Sequence, residues 1–552
     1  MFSAASSLGD AVKSRINDMC EGQPSWKVVL VTAGSTISFI ALKNFLWQDD
    51  SLYVRSKKAA FILVRKIPQV KRQVEEEINK MEKVLSAEMN DSIDNNAYMQ
   101  ELPKQGWDKK TILKEVQNYG KYGKYNWAAG YISGGVYNGN PELTQLMTEV
   151  YGLSAWTNPL HADVFPGIRK MEAEVVRMCC DLFHGGPQSC GTMTTGGTES
   201  IVMACKAYRD RAVHRGIAKP EILAPVTAHA AFDKGAQLLG IRIKHVPIDP
   251  VTMRVDIKAM KRMITRNTCM LVGSAPQFPH GVIDPIAEIS ALGEAWGIPV
   301  HVDACLGGFL IPFMEEAGYP LPLFDFRLPG VCSISCDTHK YGFAPKGSSV
   351  VLYRHRQYRH HQFFAQPDWP GGIYATPTIA GSRAGGIIAA CWAALVHHGR
   401  QGYVQSTKAI IDTAKFIETK CRDIAGIEVV GKPDVSVVAL SSKRFNIYTL
   451  SDKMGLKGWN LNALQYPSCI HIAVTMPHTQ KGVAERFVND LKEVAAELQA
   501  LPPCDGEGSA ALYGMAQSIP DRSIVEEITR TYLDVTYDTS PRVEQPTIPV
   551  RV

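Results

Sequence analysis

Val28–Trp47, VVLVTAGSTISFIALKNFLW, is a 20-residue apolar stretch whose one charge is Lys43. At about 1.5 Å per residue such a stretch spans a hydrocarbon core about 30 Å thick, so the pattern predicts a transmembrane helix. Trp26 and Trp47 sit at its two ends, where indole rings favour the headgroup layer, and Lys43 is close enough to one end to snorkel. Thr32, Gly34, Ser35, Thr36 and Ser38 dilute the run, and a buried or amphipathic helix is the competing expectation. A cleaved signal peptide fits poorly, because the run lies late and no basic region directly precedes a short apolar block. Residues 75–150 read as helices and loops and end in the Gly/Tyr-rich segment GKYGKYNWAAGYISGGVYNG.

Beyond residue 150 the pattern changes to alternation. Short β-branched or apolar runs stand at 222–228, 242–248, 269–276, 298–304, 330–337 and 348–354, with helix-period segments such as 256–264 and 288–296 between them. Strand–helix alternation at this spacing predicts an α/β unit over 151–395, its mostly parallel sheet covered on both faces. Ligand groups in such folds collect at the carboxyl ends of the strands. Residues 396–502 predict a smaller α+β unit: a long helix over 401–422, short strands around IEVV, DVSVVAL and CIHIAVTM, and a last helix over 480–500. Residues 503–552 then read as a linker, a helix around SIVEEITRTYL and a flexible tail.

Composition changes this picture little. With 552 residues, 45% hydrophobic and 20% charged, the chain is neither disordered nor a polytopic membrane protein. A net charge of +5 is too small to argue for nucleic-acid binding. The 13 cysteines show no repeated metal-ligand spacing and read as reduced thiols. Charge placement says more. Between Ser51 and Val74 stand Arg55, Lys57, Lys58, Arg65, Lys66, Lys71 and Arg72 without an acid, whereas the first 24 residues carry only Lys13 and Arg15 as basic groups. The positive-inside bias then predicts a short non-cytosolic N-terminus (1–27), the span (28–47), a basic juxtamembrane segment (48–74) and a cytosolic body. An anionic leaflet would favour the same basic segment.

The chemistry-bearing residues lie in the alternating region. CDTHKYGFAPKG (336–347) sets Lys340 just past a buried strand. Burial lowers an amine's pKa, and an amine held neutral in a pocket is a Schiff-base nucleophile. Asp303, in IPVHVDACLGG, ends another apolar strand 37 residues earlier. A buried carboxylate needs a cationic partner, and the pyridinium nitrogen of pyridoxal 5'-phosphate (PLP) is one. His229, in VTAHAAFDKGA, could stack on a ring or simply cap a helix. TTGGTES (194–200) opens a helix, so Gly197 and Thr198 offer donors to a phosphate at its N-terminus.

Together TTGGTES, TAHAAFDKGA, HVDACLGG and DTHKYG resemble the PLP-dependent group II decarboxylase-related family. Within it, NPLHADVFPGIRKMEAEVVRMCC (158–180), APQFPHGVIDP (275–285), YGFAPKGSSVVLYR and GGIYATPTIAGSR (371–383) are similar to the sphingosine-1-phosphate lyases. The likeness covers nearly the whole chain, including the apolar span and the ALYGMAQ segment after residue 510; Ala384 departs from it, standing where proline is expected. The resemblance implies a PLP-dependent transferase of fold type I, aspartate-aminotransferase-like, with a smaller C-terminal domain and one transmembrane helix. It further implies Lys340 as the cofactor-carrying lysine, Asp303 at the pyridine nitrogen and His229 on the ring face, with Gly197, Thr198 and His339 around the phosphate. Gly381 and Ser382 would reach the site of the partner subunit in a homodimer, and Tyr137, Asn158, His161 and Lys346 would surround the substrate head, with catalytic proton transfer among Tyr137, His161 and Lys346.

The implied reaction is a retro-aldol cleavage of a phosphorylated sphingoid base to a long-chain aldehyde and phosphoethanolamine, the terminal step of sphingolipid breakdown. The implied location is the endoplasmic reticulum membrane, single-pass, with the N-terminus lumenal. An amino-acid decarboxylase is the rival expectation, since it would use the same lysine, aspartate and histidine but break the bond to a carboxylate. A non-catalytic membrane-anchored dimer is a second.

Overall fold

The alternating runs become strands. β1 (Cys190–Thr194), β2 (Glu221–Pro225), β3 (Arg242–Val246), β4 (Thr268–Ser274), β5 (Val300–Asp303), β6 (Val331–Cys336) and β7 (Ser349–Tyr353) form one seven-stranded sheet in the order β1-β7-β6-β5-β4-β2-β3. The pairs β2–β3, β2–β4, β4–β5 and β5–β6 are parallel, whereas β7 runs antiparallel to both β6 and β1. Six of the seven strands coincide with the runs expected from sequence. β1 does not, because CGTMT is short and directly abuts the glycine turn that follows.

Every residue of β2, β4, β5, β6 and β7 is buried, as expected when both faces of a parallel sheet are covered. Leu223, Leu271, Val300, Val302, Ile334, Val350 and Leu352 belong to the main core. Ile222, Ala224, Met270 and Val272 instead join Ile201, Cys205 and Tyr208 of the helix Gly197–His214, and Phe232 and Ala236 of the helix Ala231–Leu239.

The computed structural model describes residues 13–15, 17, 18, 20–46, 52–91, 98–500 and 521–539. They fall into two units, one from Gly123–Gln517 and one from residues up to Tyr122 together with those from Ser518 onward. Within the larger unit, β8 (Phe364–Gln366) pairs with β9 (Tyr374–Thr376), and a smaller sheet holds β10 (Glu428–Val429), β11 (Val437–Ser441), β12 (Asn462–Leu464) and β13 (Cys469–Ala473) in the order β10-β11-β13-β12. The helix Gly385–Arg422 leads into this smaller part and is broken at Gly399 (φ 57°, ψ 176°), four residues beyond the boundary expected at 395. Ala384 at its N-terminus has φ −72°, the value a proline ring would enforce.

The other unit is helical: Ser25–Leu46, Leu52–Arg65, Pro68–Asp91, Lys109–Tyr119 and Arg522–Tyr537. Ser25–Leu46 is long and apolar enough to cross a membrane, and none of Ser25–Leu42 is buried, so it is not a core helix. Two expected boundaries change. The stretch 75–150 divides near residue 122, because its Gly/Tyr-rich end belongs to the larger unit. The C-terminal helix is no isolated appendage: it packs on Pro68–Asp91, with Arg65 Nε 2.9 Å from Asp521 Oδ2 and Gln100 Nε2 donating to Thr539 O at 2.8 Å. Trp47, Cys504, the 502–509 linker, ALYGMAQ and the tail from 540 lie outside the described residues.

Candidate active site

β1 and β6 both run antiparallel to β7, so the carboxyl ends of β1, β2, β5 and β6 share one edge of the sheet. Thr195–Thr198 follow β1, His229 follows β2, Asp303 ends β5 and Lys340 follows β6. That edge collects the residues singled out from sequence.

Lys340 is largely enclosed, and its Nζ lies 2.9 Å from Asp337 Oδ2, itself 3% exposed. This corrects the expectation of a neutral amine. Burial is the largest single influence and pushes the Lys340 pKa down, but the Asp337 carboxylate and the other groups around the amine together outweigh it, and the net direction is up. In the cofactor-free protein Lys340 is therefore an ammonium. Asp337 was not singled out from sequence, although an acid three residues before the lysine, at the end of an apolar strand, is the same kind of signal as Asp303. Its Oδ1 is buried without a hydrogen-bond partner among the described residues, and a Cβ on Gly197 would meet both its oxygens at 2.8 Å. Glycine at 197 is what lets that carboxylate sit against the start of the helix.

Asp303 is 7% exposed. Its Oδ1 accepts from Cys305 N at 3.0 Å and Ser335 Oγ at 3.1 Å, while Oδ2 has no partner among the described residues. The helix Gly197–His214 begins with no capping side chain, leaving first-turn N–H groups for a ligand. An anchored carboxylate with one free oxygen, an uncapped helix N-terminus and a lysine on one sheet edge fit PLP. His229 is exposed at this edge, and its Nδ1 accepts from Ala231 N at 3.1 Å. His339 Nδ1 is 2.5 Å from the carbonyl oxygen of Ser348, and because a carbonyl only accepts, this nitrogen carries the proton. Burial pushes the His339 pKa down.

Tyr137, His339 and Lys346 line a cavity of about 170 Å³ with Asn140, Leu143 and Phe343. Lys346 Nζ stands 4.9 Å from the Tyr137 ring centroid, and Tyr341 meets the same ring edge-on at 4.8 Å. Burial raises the Tyr137 phenol, so it keeps its proton, and burial together with the nearby Lys340 charge lowers Lys346.

Asn158, His161, Gly381 and Ser382 do not line this cavity. Asn158 Oδ1 accepts from Leu160 N at 3.0 Å and from Arg383 N at 3.1 Å, tying its turn to the 381–383 loop. Arg383 binds Glu172 through two nitrogens at 3.1 and 2.7 Å. A Cβ at Gly381 would collide with the Tyr374 hydroxyl. His161 is exposed. A further residue without a role from sequence, Glu199, joins this loop to the phosphate turn: its Oε2 accepts from Thr195 N and Oγ1, both at 2.7 Å, and its Oε1 from Ile379 N at 3.2 Å.

Residues 95–443 match the family described as the pyridoxal-dependent decarboxylase conserved domain. The chain is similar to a sphingosine-1-phosphate lyase of Drosophila melanogaster, 53% identical over 96% of this chain and 97% of that one. It is also similar to one of Saccharomyces cerevisiae, 42% identical over 89% and 84%. Among solved structures, a sphingosine-1-phosphate lyase of Burkholderia pseudomallei matches with TM-score 0.73 and 41% identity, over 80% of this chain and 98% of that one. A glutamate decarboxylase of Lactobacillus brevis shares the fold at TM-score 0.64 and 22% identity.

Proposed function

Because the chain belongs to the sphingosine-1-phosphate lyases, within the pyridoxal-dependent decarboxylase family, we propose that the residues gathered at its sheet edge carry out that reaction as follows. The protein is a PLP-dependent carbon–carbon lyase that cleaves phosphorylated long-chain bases to a long-chain aldehyde and phosphoethanolamine. The bound cofactor supplies the electron sink for the pair released when the bond between the amine-bearing carbon and its hydroxyl-bearing neighbour breaks.

Lys340 provides the nitrogen that holds the cofactor between turnovers. Asp303 Oδ2 accepts from the ring nitrogen, and His229 covers a ring face. The backbone donors at Gly197 and Thr198 bind the cofactor phosphate beside His339, and Gly381 and Ser382 of the partner subunit complete that site. Lys346 meets the substrate phosphate as a point charge beside Tyr137. Tyr137 keeps its proton near neutral pH, which suits it to donate to the substrate head, and Asn158 and His161 act on the same head group. Removal of the proton from the substrate hydroxyl belongs to this set. The observation that carries the reading is Asp303, buried on the same strand edge as Lys340, with both donors on one oxygen and the other left open.

The test is purified holoprotein with a phosphorylated long-chain base, measuring both products and carbon dioxide. Aldehyde and phosphoethanolamine should appear in equal amounts without carbon dioxide; aldehyde without phosphoethanolamine would overturn the reading. Lys340→Ala should abolish both products and the visible band of bound cofactor.

Ser25–Leu46 supports a single-pass anchor, which we place in the endoplasmic reticulum with the N-terminus lumenal and the basic segment 55–72 against the cytosolic leaflet. Such an anchor brings the site to the membrane that holds its substrate. Removing residues 1–50 should leave turnover of dispersed substrate unchanged, and loss of that turnover would make the segment structural.

A further inference from the structure

His301 and Asp303 lie on one face of β5, and the parallel register with β6 sets them opposite Ser333 and Ser335. His301 Nδ1 is 2.8 Å from Ser333 Oγ, and its Nε2 is 3.2 Å from Ser335 Oγ. Ser335 Oγ reaches Asp303 Oδ1 at 3.1 Å, and at the other end the Tyr208 hydroxyl, from the helix Gly197–His214, reaches Ser333 Oγ at 2.7 Å. Tyr208, Ser333, His301 and Ser335 are each at most 1% exposed. Phe232 meets the imidazole edge-on at 5.7 Å and seals it from the helix side.

The directions of these four bonds follow from valence. A carboxylate oxygen only accepts, so Ser335 donates to Asp303. The Ser335 oxygen then accepts from His301 Nε2–H. A neutral imidazole has one N–H, so Nδ1 accepts and Ser333 donates to it. The Ser333 oxygen is left to accept the Tyr208 hydroxyl. Burial keeps the imidazole neutral, pushing its pKa down to about 4 against a smaller upward pull from Asp303. The other titratable groups around the chain are Cys305 beside Asp303, and Cys332, Tyr353 and Tyr358 around Tyr208; burial pushes Cys305, Tyr353 and Tyr358 up, so these three bring no charge near neutral pH.

We propose that His301 is a positioning residue for the lyase reaction: by donating Nε2–H to Ser335 Oγ within the chain Tyr208–Ser333–His301–Ser335–Asp303, it holds the Ser335 hydroxyl on Asp303 Oδ1, so that Oδ2 alone faces the cofactor's ring nitrogen. The inference rests on the reading of Asp303 given under Proposed function. Removing Ser335, or the imidazole that keeps its hydroxyl turned toward Asp303, leaves Oδ1 with Cys305 N alone. The carboxylate then turns more freely and competes better for the ring proton, because hydrogen bonds to a carboxylate are what lower its basicity. A ring with less positive charge withdraws fewer electrons, and the nitrogen joining it to Lys340 becomes more basic.

The experiment is a pH titration of the visible band of the holoenzyme, with the rate of cofactor release, for Ser335→Ala, His301→Leu and their double variant. Each single variant should move the band's midpoint to higher pH and release cofactor about tenfold faster, the scale of one charge-assisted hydrogen bond. In the Ser335→Ala background, His301→Leu should move the midpoint no further, because the chain is already cut at Asp303. A merely structural histidine would lower stability and leave the midpoint alone. An unmoved midpoint in His301→Leu, or additive shifts, overturns the proposal. If His301→Leu does not fold, Tyr208→Phe removes only the terminal hydroxyl, and its midpoint shift must likewise vanish in the Ser335→Ala background. Asp303→Ala separates the two levels: if its midpoint does not move, the reading of Asp303 fails, whereas movement there with none in His301→Leu sinks this inference alone.

Discussion

Lys340 and Asp337 stand three residues apart and meet at 2.9 Å in a site that excludes most water. There the Asp337 carboxylate, by charge and hydrogen bond and together with the other groups around the amine, outweighs the desolvation that would otherwise neutralise it. The sign has a consequence for cofactor loading, which needs the free amine. In the role proposed for Lys340, its nitrogen would hold the cofactor only after giving up one proton to solvent. The loading rate of the cofactor-free protein should therefore climb about tenfold per pH unit through the neutral range. In Asp337→Asn the climb should level off at a pH lower by about 1–3 units. Stopped-flow absorbance across pH checks this, and coincident profiles would remove Asp337 from control of the amine. Lys340 and Asp303 were legible in the sequence because a charged side chain at the end of an apolar strand is conspicuous. The sign of the Lys340 shift was not, because it depends on a contact distance.

At the scale of elements, strands were easier to foresee than their ends. Six runs became β2–β7: five are buried on both faces and leave a continuous apolar signature, whereas the edge strand β3, RIKHV, is mostly half-buried and shows instead as β-branched residues among charged ones. β1 escaped because five residues beside a glycine turn carry little pattern. The Ala384 departure has a physical reading too. The backbone there already holds φ −72° without a ring to enforce it. Ala384→Pro should stabilise the protein by about 0.4–1 kcal/mol, by narrowing the unfolded chain rather than adding a contact. Denaturant midpoints of the two proteins measure this; a loss of stability would show that the loop needs the Ala384 N–H. The same loop is tied to Asn158 and, through Ile379, to Glu199. No spacing rule links residues 180 or more positions apart, so only the fold brings Glu199 to it.

Over the whole molecule, buried histidines make acid the weak side. His280, His301, His471 and His478 are each pushed down to about 4 by burial. The Nε2 atoms of His280 and His471 have no partner among the described residues, so a proton there would find no acceptor, and His478 Nδ1 accepts from Thr475 N at 2.8 Å, so a proton added there would meet a donor. An unfolded histidine titrates near 6.5, so the unfolded chain binds these protons first as pH falls; the stability is intact above about 6.5 and is lost on the way to 4. Asp284 works against this, since burial raises it to about 6 and the folded state takes its proton first. Four groups against one leave a loss of about 4 kcal/mol per pH unit near pH 5. Thermal midpoints should fall steeply between pH 6.5 and 4.5, and less steeply in His478→Gln; a flat profile over that window would refute the assignment.

The apolar span, the basic segment after it, the strand–helix alternation and the positions of Lys340, Asp303, Gly197 and His229 follow from the order of residues alone, because each is a local pattern or a charge set against an apolar run. The Asp337–Lys340 pair, the chain from Tyr208 to Asp303, the packing of the C-terminal helix on Pro68–Asp91 and the stacking of Lys346 over the Tyr137 ring came only with tertiary structure. Each joins groups through distances and hydrogen-bond directions, set by strand register and helix packing between segments that pattern alone leaves unpaired.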